Sequence, residues 1–307
     1  MRLDLAAAQT FGLSRRAARE AVRTGRIDAA GITRDEPGFD VSEAVALTFH
    51  PDRPIRRSVR TPLSVLHEDP DCIVVNKPAG LLTLPTAERE RDTLMSRVSA
   101  YLQHRYRRRP YVGVVHRLDK ETSGVLVFAR SRETLRVLQE LLKRHAIERE
   151  YLALVEGKPP EAGTFDADLV RDRGDRRRGV AGPGEKGRRA VTRFRTIARL
   201  GRATLVSARL ETGRTHQIRV HFAAAGHPVL GDRVYRRLES PFPVEAPRQM
   251  LHARWLGFAH PRTGKMVRCE APMPDDFERV LAALRRADAS RTPKTKRPGR
   301  SRGAAES

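Results

Sequence analysis

The sequence predicts an α+β protein: a small α/β module, then a large domain built on a mixed, largely antiparallel sheet, then a basic tail. Three observations carry this. Short apolar runs rich in β-branched residues follow one another at residues 72–75, 112–115, 125–128, 151–155, 190–197 and 204–210, with few long helical stretches between them. Consecutive strand runs of this kind define the α+β class. The first fifty residues form a separate pattern, with one amphipathic helical stretch and one short strand. Beyond Arg285 the chain turns to Arg, Lys, Ser, Pro and Ala and offers almost nothing to bury, the composition of a disordered segment. The expected division is a module at 1–50, a linker at 51–62, a large domain at 63–284 and a basic disordered tail at 285–307.

In the module, Leu13, Ala17, Ala21 and Val22 recur near helical spacing, while Arg15, Arg19, Arg23 and Arg26 occupy another stripe. Ser14 is placed to cap this helix and Gly25 to end it. Imperfect alternation over residues 43–49 fits a strand. Proline and arginine dominate from Pro51 to Pro62, as in a surface linker. In the large domain, Asn76-Lys77-Pro78-Ala79-Gly80 makes a turn after the first apolar run. Ser131 caps a helix whose inner face carries Leu135, Leu138, Leu141 and Leu142. Residues 171–189, rich in glycine and arginine, read as a mobile basic loop. Residues 215–226 fit a helix capped by Thr215, stopped by Gly226 and turning Ile218, Phe222 and Ala225 inward. The alternation of His216, Ile218, Val220 and Phe222 also permits a strand.

The formal net charge is +23, from 60 Lys and Arg against 37 Asp and Glu. A polyanionic partner is the simplest reading. No apolar run is long enough to span a bilayer, and the start, Met1-Arg2-Leu3-Asp4, lacks the layout of a secretory signal. A cytoplasmic protein that does not enter membranes is expected. Cys72 and Cys269 stand without metal or disulfide spacing and read as core residues. The histidine pairs His216/His221 and His252/His260 lack a third ligand at zinc spacing, so no zinc site is expected.

The polar stretch 116–123 lies between two strand runs, where a loop presents side chains from a rigid base. Thr122 and Ser123 are suited to tie the loop to its own backbone, and Gly124 permits a conformation that a side chain would hinder. An acid such as Asp119 on a loop is, alone, most often a turn residue. Here, however, His116-Arg117-Leu118-Asp119 followed by Thr122-Ser123-Gly124 resembles the signature of RluA-type pseudouridine synthases. Further resemblances follow in the family's order. They are Asn76 to Gly80, Tyr151-Leu152-Ala153-Leu154-Val155-Glu156-Gly157, Gly213-Arg214-Thr215-His216-Gln217-Ile218-Arg219-Val220-His221, Gly226-His227-Pro228, Gly231-Asp232, Leu251-His252-Ala253 and His260-Pro261. Together they cover about residues 66–277. Arg149 departs from the pattern, since relatives more often carry lysine there. The stretch Leu13 to Val22 with Gly25-Arg26-Ile27 resembles an S4 RNA-binding module, although Ala30-Gly31 stands where such modules usually carry Asn-Gly.

The resemblance implies isomerisation of uridine to pseudouridine in RNA, preferentially large-subunit ribosomal RNA, with no cofactor. It implies Asp119 as the catalytic carboxylate, Arg219 as its guanidinium partner and Tyr151 as a phenol that stacks beneath the uracil or assists proton transfer. An ionised carboxylate suits the reaction as a nucleophile toward the sugar or as a stabiliser of a sugar cation. A neighbouring arginine typically holds an aspartate about 1 to 3 pKa units lower. Arg117 matches the residue that enters the RNA stack when the base is displaced. Further RNA contacts are expected from His116, Lys77, Arg214, His216 and Gln217, and from Arg15, Arg19, Arg23 and Arg26 of the module. Nothing demands more than a monomer. The same features also admit three other functions: a synthase acting on transfer RNA, a non-catalytic ribosome-assembly factor on the same scaffold, and a metal-dependent nuclease. The nuclease needs clustered carboxylates, whereas Asp119 is flanked by arginine and lysine.

Overall fold

The computed structural model describes residues 1–33, 37–42, 44–53, 62–86, 90, 92–171, 177–235, 242 and 244–289. The chain divides after Pro62 into two compact units.

In the first unit, helices α1 (Leu3–Phe11) and α2 (Arg15–Arg23) accompany an antiparallel sheet of β1 (Ile27–Ala29), β2 (Ile32–Thr33) and β3 (Leu47–Phe49), ordered β2-β1-β3. Leu3, Ala7, Ala18, Val22 and Ile27 form a closed core. The Ser14 hydroxyl accepts from the Ala17 N–H at 3.2 Å and caps α2 as expected. Two details differ. Ala18 is buried and Ala17 exposed, which shifts the inner face by one residue. The helix stops at Thr24, whose hydroxyl donates to the Glu20 carbonyl, ahead of Gly25. The strand expected over 43–49 is confined to β3, and Glu43 lies outside the described residues. Of the expected linker, positions 54–61 also lie outside them. Arg53, however, is pinned within the unit: its guanidinium bonds both Asp28 carboxylate oxygens at 2.7 Å and the Gly25 carbonyl at 2.8 Å.

The second unit contains β4 (Ser64–Glu68), β5 (Cys72–Lys77), α3 (Leu94–Tyr106), β6 (Gly113–Val114), β7 (Ser123–Ala129), α4 (Arg132–Lys143) and β8 (Glu148–Glu156). It continues with β9 (Ala162–Val170), β10 (Gly179–Val180), β11 (Arg188–Leu200), β12 (Ala203–Leu210), α5 (Gln217–Ala224), β13 (Leu251–Ala259), β14 (Met266–Glu270) and α6 (Asp275–Ala289). Its 11-stranded sheet runs β10-β9-β11-β12-β8-β13-β7-β5-β4, with β14 on β13 and β6 on β7. Among the described strands only β13 and β7 pair in parallel, so the sheet is mixed and largely antiparallel, as expected.

Strand β8 shows why its sequence is a continuous apolar run. Tyr151, Ala153 and Val155 enter the main core, while Leu152 and Leu154 point the other way, onto Leu205 and onto Phe277, Val280, Leu281 and Leu284 of α6. A strand covered on both faces has no polar side to present. Helix α6 continues to Ala289 and so corrects the tail boundary expected at 285; residues 290–307 lie outside the described residues. The basic loop expected over 171–189 is also partly strand, because β10 pairs with β9 and β11 begins at Arg188; residues 172–176 are outside the description.

The β7–β13 junction requires Gly124. Its φ is 118°, and a Cβ there would stand 2.1 Å from the Ala253 carbonyl oxygen. Both facts exclude a side chain. Gly124→Ala is expected to lower stability by about 3 kcal/mol or more, read from urea unfolding; an unchanged midpoint would show that the junction yields without strain.

Candidate active site

The loop between β6 and β7 is held from three sides. The Thr83 hydroxyl donates to the Leu118 carbonyl at 3.0 Å and accepts from the Leu118 N–H at 3.2 Å. Lys77 donates to the carbonyls of Pro78, Leu81 and Lys120 at 3.0, 2.7 and 2.9 Å. Arg248, itself bound bidentately by Asp276, donates to the Glu121 carbonyl at 2.9 Å and to the Ser123 hydroxyl at 3.3 Å. Gln249 donates to the Thr122 hydroxyl at 2.9 Å. Asp119 therefore projects from a braced loop, with its side chain 23% exposed.

Arg219 reaches Asp119 from α5, its Nη1 lying 3.0 Å from Oδ2 across 100 positions of sequence. The rest of the guanidinium is clamped by Asp232: Nε–Oδ2 is 2.6 Å and Nη2–Oδ1 is 3.0 Å. Asp232 is fully buried and also accepts the N–H groups of Val234 and Tyr235. The Tyr235 ring lies under the guanidinium, 5.0 Å from centroid to Cζ. Burial works against the charge on Arg219, but the hydrogen bond and charge of Asp232, joined by Asp119, raise its pKa further. A fork fixed on one carboxylate thus presents its remaining edge to a second. Asp232 was visible in the sequence only as part of Gly231-Asp232; its role as the clamp was not anticipated.

His216 lies beside the pair, with Nε2 3.8 Å from Asp119 Oδ1 and Nδ1 2.8 Å from the Tyr235 hydroxyl. A phenol donating to Nδ1 leaves the imidazole proton on Nε2, turned toward Asp119. Burial holds the His216 pKa below its ordinary value, against the pull of Asp119. His216 adopts a left-handed φ of 58° where α5 starts, so Thr215 does not cap this helix. Ile218 and Phe222 face inward as expected, whereas Ala225 is exposed.

Tyr151, from β8, lines the same cleft with Arg149 and His116. Burial raises the Tyr151 pKa, with Arg149 opposing and Asp119 adding, so it stays a neutral phenol. The cleft has a volume of about 1270 Å³ and also exposes Arg117 and Arg214 on its walls. Single small-molecule pockets occupy roughly 300–1,000 Å³; this cleft has room for a polymer segment.

Two expected RNA contacts are corrected. Lys77 has no exposed surface, and its ammonium is spent on three backbone carbonyls. Gln217 is 2% exposed. Its amide donates to the Val191 carbonyl and the Thr192 hydroxyl, and its oxygen accepts from the Thr212 hydroxyl and the Arg214 N–H. Both residues shape the site from behind. His116 is half-buried, and its Nε2 is shut in with no partner among the described residues. Arg15 and Arg23 are exposed on the first unit, whereas Arg26 is half-buried and donates to the Arg53 carbonyl.

The histidines considered as ligands are engaged in hydrogen bonds. His252 bonds the Ser123 hydroxyl and the Ala271 carbonyl, and His221 bonds the Thr192 hydroxyl. His260 joins Asp69 and Asp71 in a metal-like grouping, but its Nδ1 accepts the N–H groups of Arg262 and Thr263. Its proton therefore sits on Nε2, aimed at Asp69 at 3.2 Å, where a metal would need a lone pair.

Burial lowers the pKa of His116 to about 3 and of His221 and His252 to about 4, against roughly 6.5 in an unfolded chain. Below about pH 6.5 the unfolded state takes up protons that the folded state refuses. Stability present above that pH is therefore lost as pH falls toward 4. Each histidine contributes up to about 1.4 kcal/mol per pH unit in this window. Urea midpoints that stay constant from pH 7 to about 4 would refute the neutral buried histidines.

A braced acid paired with a clamped arginine, in a roomy cation-walled cleft on a mixed sheet, defines an enzyme with a polyanionic substrate. Residues 71–224 match the family described as RNA pseudouridylate synthase. A protein named ribosomal large subunit pseudouridine synthase D from Zymomonas mobilis is 36% identical over 92% of this chain and 93% of its own length. One of the same name from Nitrosomonas europaea is 41% identical over 73% of this chain and 66% of its own. The solved structure titled human RNA pseudouridylate synthase domain containing 4 superimposes with a TM-score of 0.61 at 24% identity, covering 72% of this chain and 93% of that one. The chain belongs to the RNA pseudouridylate synthase family.

Proposed function

We propose that this enzyme isomerises uridines of large-subunit ribosomal RNA to pseudouridine, with Asp119 as the acting carboxylate. The observation that carries the assignment of Asp119 is its pairing with Arg219, whose opposite edge is clamped by buried Asp232. The arginine keeps an acid ionised in a cleft that sheds water around the base. The reaction breaks the bond between ribose C1′ and uracil N1, turns the base and joins C1′ to C5. The C5 proton leaves and N1 gains one, so no oxidant, acceptor or energy source is consumed. Asp119 serves as nucleophile or as stabiliser of the developing sugar cation. Tyr151, a neutral phenol beside them, supports the base or moves a proton. Exposed Arg117 at the cleft wall fills the gap left by the displaced uridine.

The ribosomal substrate is supported by the names of the relatives at 36% and 41% identity. No helix among the described residues is long and apolar enough to cross a membrane; a cytoplasmic monomer is our reading. The test is position-resolved pseudouridine mapping of total RNA from cells with and without the gene, complemented by wild type or Asp119→Asn. Loss of sites in large-subunit ribosomal RNA, restored only by wild type, is the expected result. Loss confined to transfer RNA would move the substrate, and no loss in either would overturn the reading.

A further inference from the structure

Outside the cleft, residues 103–109 at the C-terminal end of α3 are all exposed, and Tyr111 follows at 37% exposure. The stretch includes Arg105, Tyr106 and three consecutive arginines, Arg107, Arg108 and Arg109. The acid that meets it is Glu68, and Glu68 is already occupied: it accepts the hydroxyls of Tyr101 and Tyr106 and stands within 3.5 Å of Arg105 and Arg130. Arg107, Arg108 and Arg109 form no ion pair among the described residues.

A solvated charge run explains some of this, and the helix C-terminus favours cations in its last turn. Neither explains two further features. Helix α3 ends with Arg107 in the left-handed region at φ 54°, where glycine is the favoured residue; the sequence keeps a cation at the expense of backbone ease. The Tyr111 ring also packs over Gly113, where a Cβ would stand 2.9 Å from Tyr111 Cε1 and 3.1 Å from Leu135. Tyr111 is thereby seated against the domain while the residue as a whole stays 37% exposed. Strand β6 leads directly from this knob to Val114, Val115 and His116, which line the cleft. Tyr111 and Val115 are separated by at most about 13 Å of extended chain, so a strand leaving the cleft reaches the knob within a few nucleotides.

We propose that this knob binds a single-stranded stretch of RNA, with Arg107, Arg108 and Arg109 on its phosphates and Tyr111 as a stacking platform for a base. Free cations beside an exposed, seated aromatic ring are the means by which proteins hold unpaired strands without reading sequence. The surface is separate from the reacting groups, so it stands or falls independently of the role given to Asp119.

The test uses the full-length protein and a fluorescein-labelled oligouridylate of about twenty nucleotides, titrated across salt. Three single-strand phosphate contacts contribute a slope of about 2 in log affinity against log salt. The triple variant R107Q/R108Q/R109Q is expected to lose that slope, so a fourfold rise in salt weakens wild type roughly 20-fold more than the variant. Tyr111→Phe is expected to keep its affinity and Tyr111→Ala to lose about fivefold or more, each titrated below its own unfolding transition so that only folded protein is compared. An unchanged slope in the triple variant overturns the proposal. So does duplex RNA that loses as much affinity as the single strand on Tyr111→Ala.

Discussion

Asp119→Asn is expected to fold, bind RNA and form no pseudouridine. The substitution keeps the shape of the side chain and leaves an oxygen to accept from Arg219 Nη1. Arg219 itself remains held by Asp232 through two hydrogen bonds, so no buried charge is stranded. Asp119 is 23% exposed, and its amide finds water where no protein acceptor is available. What disappears is the negative charge that the proposed role of Asp119 requires in either route to pseudouridine. Removing an acting member of a catalytic unit lowers rates by at least about 10⁴-fold. Single-turnover release of tritium from RNA labelled at uracil C5 reads this directly, and a parallel binding titration shows that the RNA is still held. A variant within about tenfold of the wild-type rate would remove Asp119 from the chemistry.

Asp232→Asn produces a different failure. The amide replaces one of the two oxygens that grip Arg219 with a donor, in a position with no access to water. The guanidinium is left buried with half of its clamp, and uncompensated charges of this kind cost about 3–5 kcal/mol. The same change frees Arg219 to shift toward Asp119 or away from it. A misplacement of about 1 Å in such a group lowers rate on the order of 10²-fold. We expect lower stability in urea together with a reduced single-turnover rate at saturating RNA, while affinity for RNA is largely kept. A purely structural Asp232 would lower the urea midpoint and leave the rate of the folded fraction unchanged. Combining Asp232→Asn with Asp119→Asn separates the cases, since a clamp that acts through Arg219 on Asp119 has no further rate to lose once Asp119 is neutral.

Much of the fold was legible because it rests on local pattern. The alternating and continuous apolar runs located β5, β7, β8, β11 and β12, and Ser131 marked the start of α4 through its hydrogen bond to the Thr134 N–H. Three helices have no counterpart in the sequence reading, α1, α3 and α6, and for the last two the signals are present. Phe277, Val280, Leu281 and Leu284 recur at helical spacing in α6, and Thr93 with Ser96 forms a reciprocal cap at the start of α3. The neighbouring basic tail and the dominance of strand runs obscured them. At the site, the pairing of Arg219 with Asp119 followed from matched motifs. The direction in which Lys77 and Gln217 point did not, because polar side chains in a motif carry no mark of which side of the backbone will be dry.

The sequence by itself determined the α+β class, the polyanionic partner and the loop that carries Asp119. These depend on composition, periodicity and residue order, which are properties of the chain before it folds. Only the tertiary structure decided that Asp232 clamps Arg219, that Lys77 braces the loop of Asp119 from within, and that Gly124 must lie hard against Ala253 of the neighbouring strand. Each depends on groups that local pattern does not pair meeting in a space without water, where a hydrogen bond or charge must find its partner among whatever the fold has placed there.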